Sequence, residues 1–258
     1  MASLDKILRK GKAFILAYDQ GLEHGPVEFN DKNVSPKQII DIAKNSGVTA
    51  LALQKGPAEK YRKEIKASKI PLILKLNGKT RMYKGEAFSP QLCTVEEAIK
   101  LGAAAVGYTI YFGSEEEWRM LEEFEAIEKK AHAKGLPVIV WSYPRGKSLE
   151  KQLKTQKGKN EIMAYAARAA FEVGADMVKI QYSGDPKALK WAVKSADRCK
   201  VVISGGVKEG EKAFLKDLKD IMNAGASGMA IGRNIWQHDN PREITKKVSK
   251  IIWGRSKK

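Results

Sequence analysis

One lysine stands in the middle of a short apolar segment, and its surroundings decide what chemistry it can perform. Lys179 lies within residues 176–182, between Val178 and Ile180. In a packed strand a lysine must keep its ammonium in water, pair it, or lose its proton, because an unpaired buried charge is costly. A neutral amine adds to a ketone or aldehyde and forms a Schiff base. The alternative is a lysine whose stem lines the strand while its ammonium extends to solvent.

Apolar runs alternate with amphipathic stretches along the chain, and this alternation predicts eight strand–helix units. Thr94 and Glu97 have the spacing of a capping box, and Gly135 is placed to end a long charged helix. The predicted strands are 14–18, 50–54, 71–76, 105–112, 137–143, 177–182, 200–204 and 228–231. The predicted helices include 35–45, 114–134, 161–173, 186–196, 210–223 and 241–252, and a long loop is expected over 77–92.

Eight such units in 258 residues are typical of a (β/α)8 TIM barrel. Continuously apolar strands also fit a parallel sheet that is covered on both faces. An open doubly wound sheet is the alternative, but residues 19–25 lack the glycine pattern of a dinucleotide-binding turn. Because no linker or low-complexity run divides the chain, we predict one α/β domain, a single catalytic barrel over residues 1–258.

Composition narrows the classes of function. The formal net charge is +17, but the lysines are dispersed and form no long basic block, which favours a solvated surface that attracts anionic substrates over a nucleic-acid site. Two cysteines and three histidines lack metal-ligand spacing, so we expect no metal and a reducing compartment. The apolar run at 13–18 is too short for a signal peptide or a membrane span. We therefore expect a soluble, cytoplasmic protein that binds neither nucleic acid nor membrane.

A barrel would bring distant polar residues together, since the active site of a TIM barrel lies at the carboxyl ends of its strands. Residues of this kind at or just after predicted strand ends are Asp19, Trp141, Tyr143, Lys179, Ser204 and Arg233.

Two glycine-containing loops predict a phosphate site at the same end. Ser204, Gly205 and Gly206 follow the seventh strand, while Gly232 and Arg233 follow the eighth, before a short helix at 234–237. Glycines let backbone N–H groups approach an anion, a helix start adds donors, and an arginine adds a charge-assisted contact. The alternative is that these glycines only form tight turns.

Five segments together resemble the archaeal-type class I fructose-1,6-bisphosphate aldolases. They are AYDQGLEHGP at 17–26, WSYPRG at 141–146, VK at 178–179, ISGG at 203–206 and AIGRN at 230–234, and they span about residues 13 to 237 in order. The resemblance implies a metal-independent, cofactor-free cleavage of fructose 1,6-bisphosphate to dihydroxyacetone phosphate and glyceraldehyde 3-phosphate. It also implies the reverse condensation, a place in glycolysis and gluconeogenesis, and a ring-like homo-oligomer, a decamer.

The resemblance also implies roles for the central residues. Lys179 matches the Schiff-base lysine, which adds to the C2 ketone and forms an iminium that accepts the electrons of the C3–C4 bond. Tyr143 matches the proton donor and acceptor, and Asp19 matches the acidic residue that contacts the reacting carbons or hydroxyls. Ordinary aromatic packing at Tyr143, and a turn before Gly21 at Asp19, are the alternatives.

The remaining site residues have less specific roles. Trp141 is expected to form an apolar wall, and Arg145 and His24 to reach the second phosphate. Lys55 and Lys75 also lie near strand ends. Either is a rival nucleophile, although we expect both to be electrostatic neighbours whose charge lowers the pKa of the catalytic lysine.

Two other functions stay open at this point. One is a related lysine-dependent aldolase or transaldolase-like enzyme that acts on another phosphorylated keto sugar, such as a precursor of aromatic amino acids. The second is a non-catalytic barrel that binds phosphate or nucleic acid, whose affinity would fall steeply with salt.

Overall fold

The computed structural model describes residues 2–44 and 46–254 and shows a closed barrel of eight parallel strands. The strands follow one another around the barrel in chain order, and the eighth pairs with the first. They are β1 Ala13–Ala17, β2 Ala50–Gln54, β3 Leu72–Lys75, β4 Ala103–Ile110, β5 Val138–Ser142, β6 Met177–Ile180, β7 Lys200–Ser204 and β8 Gly228–Ile231. The predicted (β/α)8 TIM barrel is confirmed.

Helices connect successive strands and cover the outside of the barrel. They are α1 Gly21–His24, α2 Pro36–Ala43, α3 Lys55–Lys60, α4 Arg62–Ser68, α5 Val95–Lys100, α6 Glu117–Ala133, α7 Glu150–Leu153, α8 Gln156–Glu172, α9 Pro186–Ser195, α10 Glu211–Asn223, α11 Arg233–Trp236 and α12 Pro241–Trp253. Two 3-10 turns lie at Pro26–Glu28 and Lys147–Leu149. Across the described ranges, no helix is long and apolar enough to cross a membrane.

The predicted helix bounds differ from the observed ones for local reasons. The helix predicted at 114–134 begins at Glu117, because the Ser114 hydroxyl instead donates to the Ala87 carbonyl at 2.7 Å. The helix predicted at 161–173 begins earlier, after Thr155, whose side chain caps it. The helix predicted at 35–45 ends at Ala43, and Asn45 lies outside the described residues. The capping box of Thr94 and Glu97 is confirmed.

Each strand contributes side chains to two apolar layers, because successive side chains point to opposite faces. Residues that face outward, such as Phe14 and Leu16, pack against the helices. Residues that face inward fill the barrel, and Ile7 from the amino-terminal segment joins them. The inward-facing set on the strands includes Ile15, Ala52, Ile73, Ala105, Ile139, Met177, Val202 and Ala230. This filled interior leaves room for a cavity at the carboxyl end of the strands.

Candidate active site

Strand periodicity places the chemically active side chains inside the barrel. Lys179 follows the inward-facing Met177 by two positions in β6, and Trp141 follows Ile139 in the same way in β5. Lys75 occupies the corresponding position at the end of β3. Because the side-chain period of a strand is two, these residues enter the interior at its carboxyl end. The strand register sets Trp141 beside Lys179.

The structure brings all eleven residues expected at the site to one cavity at this end of the barrel. Several other residues line the same cavity. The expected residues in the lining are Asp19, His24, Trp141, Tyr143, Arg145, Lys179, Ser204, Gly205, Gly206, Gly232 and Arg233. The sequence patterns did not indicate Gln20, Glu23 or Gln181, which also line the cavity. Lys75, expected near the site as a rival nucleophile or an electrostatic neighbour, lines it as well.

Lys179 is buried, with only 6% of its surface exposed. Its Nζ lies 5.1 Å from the centre of the Trp141 ring and 5.8 Å from that of Tyr143. Burial lowers the pKa of the amine and the nearby guanidinium of Arg233 lowers it further, whereas Asp19 and Glu23 oppose the shift. A lowered pKa increases the neutral, nucleophilic fraction of the amine at a given pH.

Lys75 is the second buried lysine of the cavity. Its Nζ lies 4.0 Å from Asp19 Oδ2 and 5.5 Å from the centre of the Trp141 ring. Burial lowers its pKa, Asp19 opposes this, and the charge of Lys179 lowers it further. Arg233 lowers the pKa of Lys179, and the repulsion between the two buried ammonium groups disfavours the charged form of both lysines. Lys75 faces a carboxylate and Lys179 faces Tyr143, so the two lysines are not equivalent.

Lys55 has the wrong environment for a nucleophile. Its ammonium binds the Glu97 carboxylate on α5, away from the cavity lining. This hydrogen bond raises the pKa of Lys55, which favours the charged, unreactive form.

Tyr143 and Trp141 form one wall of the cavity. Burial raises the pKa of the Tyr143 phenol, and the carboxylates of Asp19 and Glu23 raise it further. The phenol therefore keeps its proton and can donate it to a reaction intermediate. The Trp141 ring lies against Gly107 of β4, where an added Cβ would come 2.0 Å from the ring. Glycine at 107 is thus needed to seat the indole.

The loops after β7 and β8 are joined by a buried asparagine. The amide of Asn234 donates to the carbonyls of Gly205 at 2.6 Å and Val207 at 2.9 Å, and its Oδ1 accepts from Glu209 N. The Gly205 amide donates to Ala230 within the sheet, so it is not a free donor for an anion. Gly206 has a φ of +65°, which favours glycine at that turn.

Each arginine of the cavity faces a glutamate. Arg233 Nη1 lies 2.7 Å from Glu28 Oε1, and Arg145 Nη1 lies 3.9 Å from Glu23 Oε1. His24 contacts Glu28 Oε1 at 3.3 Å, so its carboxylate partner is the one that holds Arg233 rather than the one near Arg145. The sequence could not reveal these pairs, because Glu28 and Arg233 are 205 residues apart.

Comparison with known proteins places this chain among aldolases. A model of the DeoC/LacD family of aldolases matches residues 13–238. The chain is 46% identical over 252 residues to the class 1 fructose-bisphosphate aldolase of Thermoproteus tenax, with 96% of this chain and 92% of that protein covered. It is 34% identical over 266 residues to the fructose-bisphosphate aldolase/6-deoxy-5-ketofructose 1-phosphate synthase of Methanocaldococcus jannaschii, with 97% and 83% covered.

A solved structure is similar over nearly the full length. It is an archaeal fructose-1,6-bisphosphate aldolase whose catalytic lysine is covalently bound to the carbinolamine intermediate of the substrate. The two chains superpose with a TM-score of 0.89 at 45% identity, and 97% of this chain and 98% of the other are covered. Family match, sequence identity and fold agree with the motifs in the cavity, and the chain belongs to the DeoC/LacD family of aldolases, among the archaeal-type class I fructose-bisphosphate aldolases.

Proposed function

We propose that this chain cleaves fructose 1,6-bisphosphate to dihydroxyacetone phosphate and glyceraldehyde 3-phosphate through a Schiff base, and catalyses the reverse condensation. The observation that carries the proposal is a buried lysine with a lowered pKa, Lys179, that faces the rings of Trp141 and Tyr143. Identity of 46% to a class 1 fructose-bisphosphate aldolase supports the same substrate.

Carbinolamine formation is the first step of the proposed mechanism. The neutral amine of Lys179 adds to the C2 carbonyl of the ketose, and the oxygen takes up a proton to give a carbinolamine. Loss of water then leaves an iminium, a protonated imine that attracts electrons. The Tyr143 phenol, which keeps its proton at neutral pH because its pKa is raised by burial, supplies the proton that the departing hydroxyl needs.

Cleavage follows from the electron demand of the iminium. The C4 hydroxyl gives its proton to the Asp19 carboxylate, the C3–C4 bond breaks, and its electron pair moves into the iminium to form an enamine. Glyceraldehyde 3-phosphate leaves. Tyr143, which regains a proton from Asp19 after the cleavage, then protonates the enamine at C3. Water adds to the resulting iminium and returns a proton to Tyr143, and dihydroxyacetone phosphate leaves as the neutral amine of Lys179 is restored. Lys75, 4.0 Å from Asp19 Oδ2, is suitably placed to stabilise the carboxylate before the proton arrives.

The two phosphates have separate candidate sites. The loops after β7 and β8, with Arg233, suit the phosphate on C1, since Lys179 attacks the adjacent carbon and Arg233 lies close enough to affect its pKa. Arg145 suits the distal phosphate, because its side chain is 46% exposed and lies near the Tyr143 ring. Arginine binds phosphate oxygens through a planar set of donors.

The decisive test traps the intermediate. We would incubate the protein with fructose 1,6-bisphosphate and borohydride, with a chelator present, and measure intact mass and the modified peptide. The expected result is one adduct of triose-phosphate mass on Lys179. Lys179→Met should abolish the adduct, whereas Lys75→Met, a matched change of the other buried lysine, should leave it on Lys179. An adduct on Lys75, or none with any keto-phosphate, contradicts the proposal.

One relative favours a second reaction. The Methanocaldococcus jannaschii protein carries the name of a 6-deoxy-5-ketofructose 1-phosphate synthase as well as an aldolase. We therefore propose to measure two reactions with this protein, the cleavage of fructose 1,6-bisphosphate and the formation of 6-deoxy-5-ketofructose 1-phosphate. A higher kcat/KM for formation of 6-deoxy-5-ketofructose 1-phosphate than for bisphosphate cleavage would make that reaction the main one.

The proposal extends to the setting of the enzyme. We propose that the barrel over residues 1–258 acts as one catalytic domain, in the cytoplasm, within glycolysis and gluconeogenesis. We also propose a homo-oligomer, a decamer by family resemblance. The similarity to the Thermoproteus tenax enzyme supports the metabolic role, and light scattering of the purified protein tests the assembly.

A further inference from the structure

Both glutamates that face the cavity arginines come from one short segment. Glu23 lies in α1 and Glu28 lies in the following 3-10 turn, directly after β1. The arginines lie far apart in the chain, Arg145 after β5 and Arg233 at the start of α11. One segment of the chain therefore contacts both arginines that line the cavity.

Glu28 holds Arg233 from outside the cavity wall. Arg233 lines the cavity, and its Nη1 donates to Glu28 Oε1 at 2.7 Å. The backbone of Glu28 is fixed as well, because Gln237 Nε2 donates to the Glu28 carbonyl at 2.9 Å. A guanidinium has five N–H donors, so this contact restrains the side chain of Arg233 and leaves other donors for a ligand.

The same carboxylate also contacts His24. Glu28 Oε1 lies 3.3 Å from His24 Nδ1 while it accepts from Arg233, so one oxygen serves both side chains. Its other oxygen, Oε2, is buried and has no hydrogen-bond partner within the described part of the chain. Both Arg233 and His24 line the cavity, and Glu28 therefore fixes two potential phosphate ligands at once.

Glu23 has a different relation to Arg145. The guanidinium carbon of Arg145 lies 5.0 Å from the centre of the Tyr111 ring, and Arg145 Nη1 lies 3.9 Å from Glu23 Oε1. The hydroxyl of Tyr111, a fully buried residue, donates to Glu23 Oε1. Tyr111 thus holds Glu23 and supports the guanidinium of Arg145 at the same time.

Fixed arginines matter in this protein because its charge alone gives little selectivity. A net charge of +17 attracts anions of many kinds. Discrimination between one phosphate and two requires donors at set positions, since ordering a flexible side chain on binding reduces affinity. The two glutamates hold the arginine side chains in position before the ligand binds.

We propose that Glu28 and Glu23 are positioning residues that set the preference for ketoses phosphorylated at both ends. Glu28 orients Arg233 for the phosphate beside the reacting ketone, and Glu23, held by Tyr111, orients Arg145 for the distal phosphate. This inference rests on the proposed function, and it adds how the chain distinguishes fructose 1,6-bisphosphate from fructose 1-phosphate.

The test uses two substrates that differ only in the distal phosphate. We would measure kcat and KM of Glu28→Gln and Glu23→Gln with fructose 1,6-bisphosphate and with fructose 1-phosphate. Glutamine keeps the size of glutamate but removes the charge, and a charge-assisted hydrogen bond is roughly twice as strong as a neutral one. Glu28→Gln should raise both KM values by a similar factor, about fivefold. Glu23→Gln removes the ionic contact to Arg145 at 3.9 Å, and it should raise the KM for the bisphosphate by about threefold more than that for the monophosphate.

A matched control removes an arginine–glutamate pair elsewhere. Glu172 binds Arg168 within α8, on the outer surface of the barrel, so Glu172→Gln should leave both KM values and their ratio unchanged. Tyr111→Phe tests the position of Glu23 in a second way. It should shift the ratio of KM values in the same direction as Glu23→Gln, because it removes the hydroxyl that holds Glu23.

Several outcomes overturn the inference. A fall in KM in Glu28→Gln would show that the carboxylate competes with phosphate, and an equal effect of Glu23→Gln on both substrates would show that Arg145 does not read the distal phosphate. A change in kcat alone would give the glutamates a different role. If the wild-type protein turns over neither substrate and forms no borohydride adduct, the proposed function itself is wrong, which is a distinguishable result.

Discussion

The polar side chains at the two ends of strand β6 differ in their partners. At the amino end, Asp176 Oδ2 accepts hydrogen bonds from Val138 N and from His132 Nε2, each at 2.8 Å. At the carboxyl end, three residues further on, the ammonium of Lys179 faces the rings of Trp141 and Tyr143. Both side chains are largely buried, but among the described residues only the Asp176 carboxylate has hydrogen-bond partners.

This difference separates stability from function within a single strand. A buried polar group with partners contributes to a unique fold, whereas one without them costs free energy and is retained where a ligand completes it. In TIM barrels the amino end usually serves stability and the carboxyl end serves chemistry. Three predictions test this division, ordered by the size of the expected effect.

Removal of the Tyr143 hydroxyl should have the largest effect on turnover. Tyr143→Phe should lower kcat by about 10² to 10⁴, the usual contribution of a positioned proton donor. Stability should hardly change, because the ring remains. Steady-state cleavage of fructose 1,6-bisphosphate, together with thermal unfolding, measures both quantities.

A buried tyrosine outside the cavity serves as the control for that change. Tyr108 of β4 donates to Glu123 at 2.6 Å on the helix-covered side of the barrel. Tyr108→Phe should reduce the free energy of unfolding by about 1 kcal/mol and leave kcat per folded molecule intact. Equal losses of kcat in the two variants would refute a specific role for Tyr143.

Loss of the carboxylate at the amino end should act on stability alone. Asp176→Ala leaves Val138 N and His132 without their acceptor, which should lower the free energy of unfolding by about 2 to 4 kcal/mol. Urea denaturation measures the change. The kcat of the folded variant should equal that of the wild-type protein, and a lowered kcat at unchanged stability would show that the two ends of β6 are not separate in function.

Sequence patterns predicted the barrel and the location of the site because both depend on periodicity. The alternation of apolar residues sets which side chains enter the barrel, and strand ends set which of them meet, so Lys179, Tyr143 and Asp19 could be placed together. Motif resemblance added the roles. Neither source depends on contacts between distant side chains.

What the sequence could not predict depends on such contacts. Lys75 was expected near the site, but its distance of 4.0 Å from Asp19 Oδ2 follows from how β1 and β3 curve around the barrel. Glu28 follows Pro26 in a segment without a strong pattern, and its partner Arg233 lies at the other end of the chain. The start of α8 was missed because Gly158 weakens the helical pattern there.

The third prediction concerns the cost of burying Lys179. Lys179→Met replaces a buried amine by an apolar side chain of similar length, and it should increase the free energy of unfolding by about 1 to 3 kcal/mol at neutral pH. The variant gains stability as it loses activity, because the group that is required for chemistry opposes folding. Urea denaturation of both proteins measures the difference.

The pH dependence of this gain identifies its cause. In the folded protein the pKa of Lys179 is lowered by burial, while in the unfolded chain it stays near 10.5. Between the folded-state pKa and about 10.5 the unfolded chain therefore binds more protons, and the free energy of unfolding contributed by this group rises with pH across that window. The advantage of Lys179→Met should be largest at low pH, shrink as pH rises through the folded-state pKa, and vanish above the ordinary lysine pKa.

Lys200, exposed at the amino end of β7, provides the matched control, since Lys200→Met should show no such pH dependence. A gain in Lys179→Met that is constant with pH would instead indicate better packing by methionine, and the contrast between the two ends of the barrel would then not rest on charge.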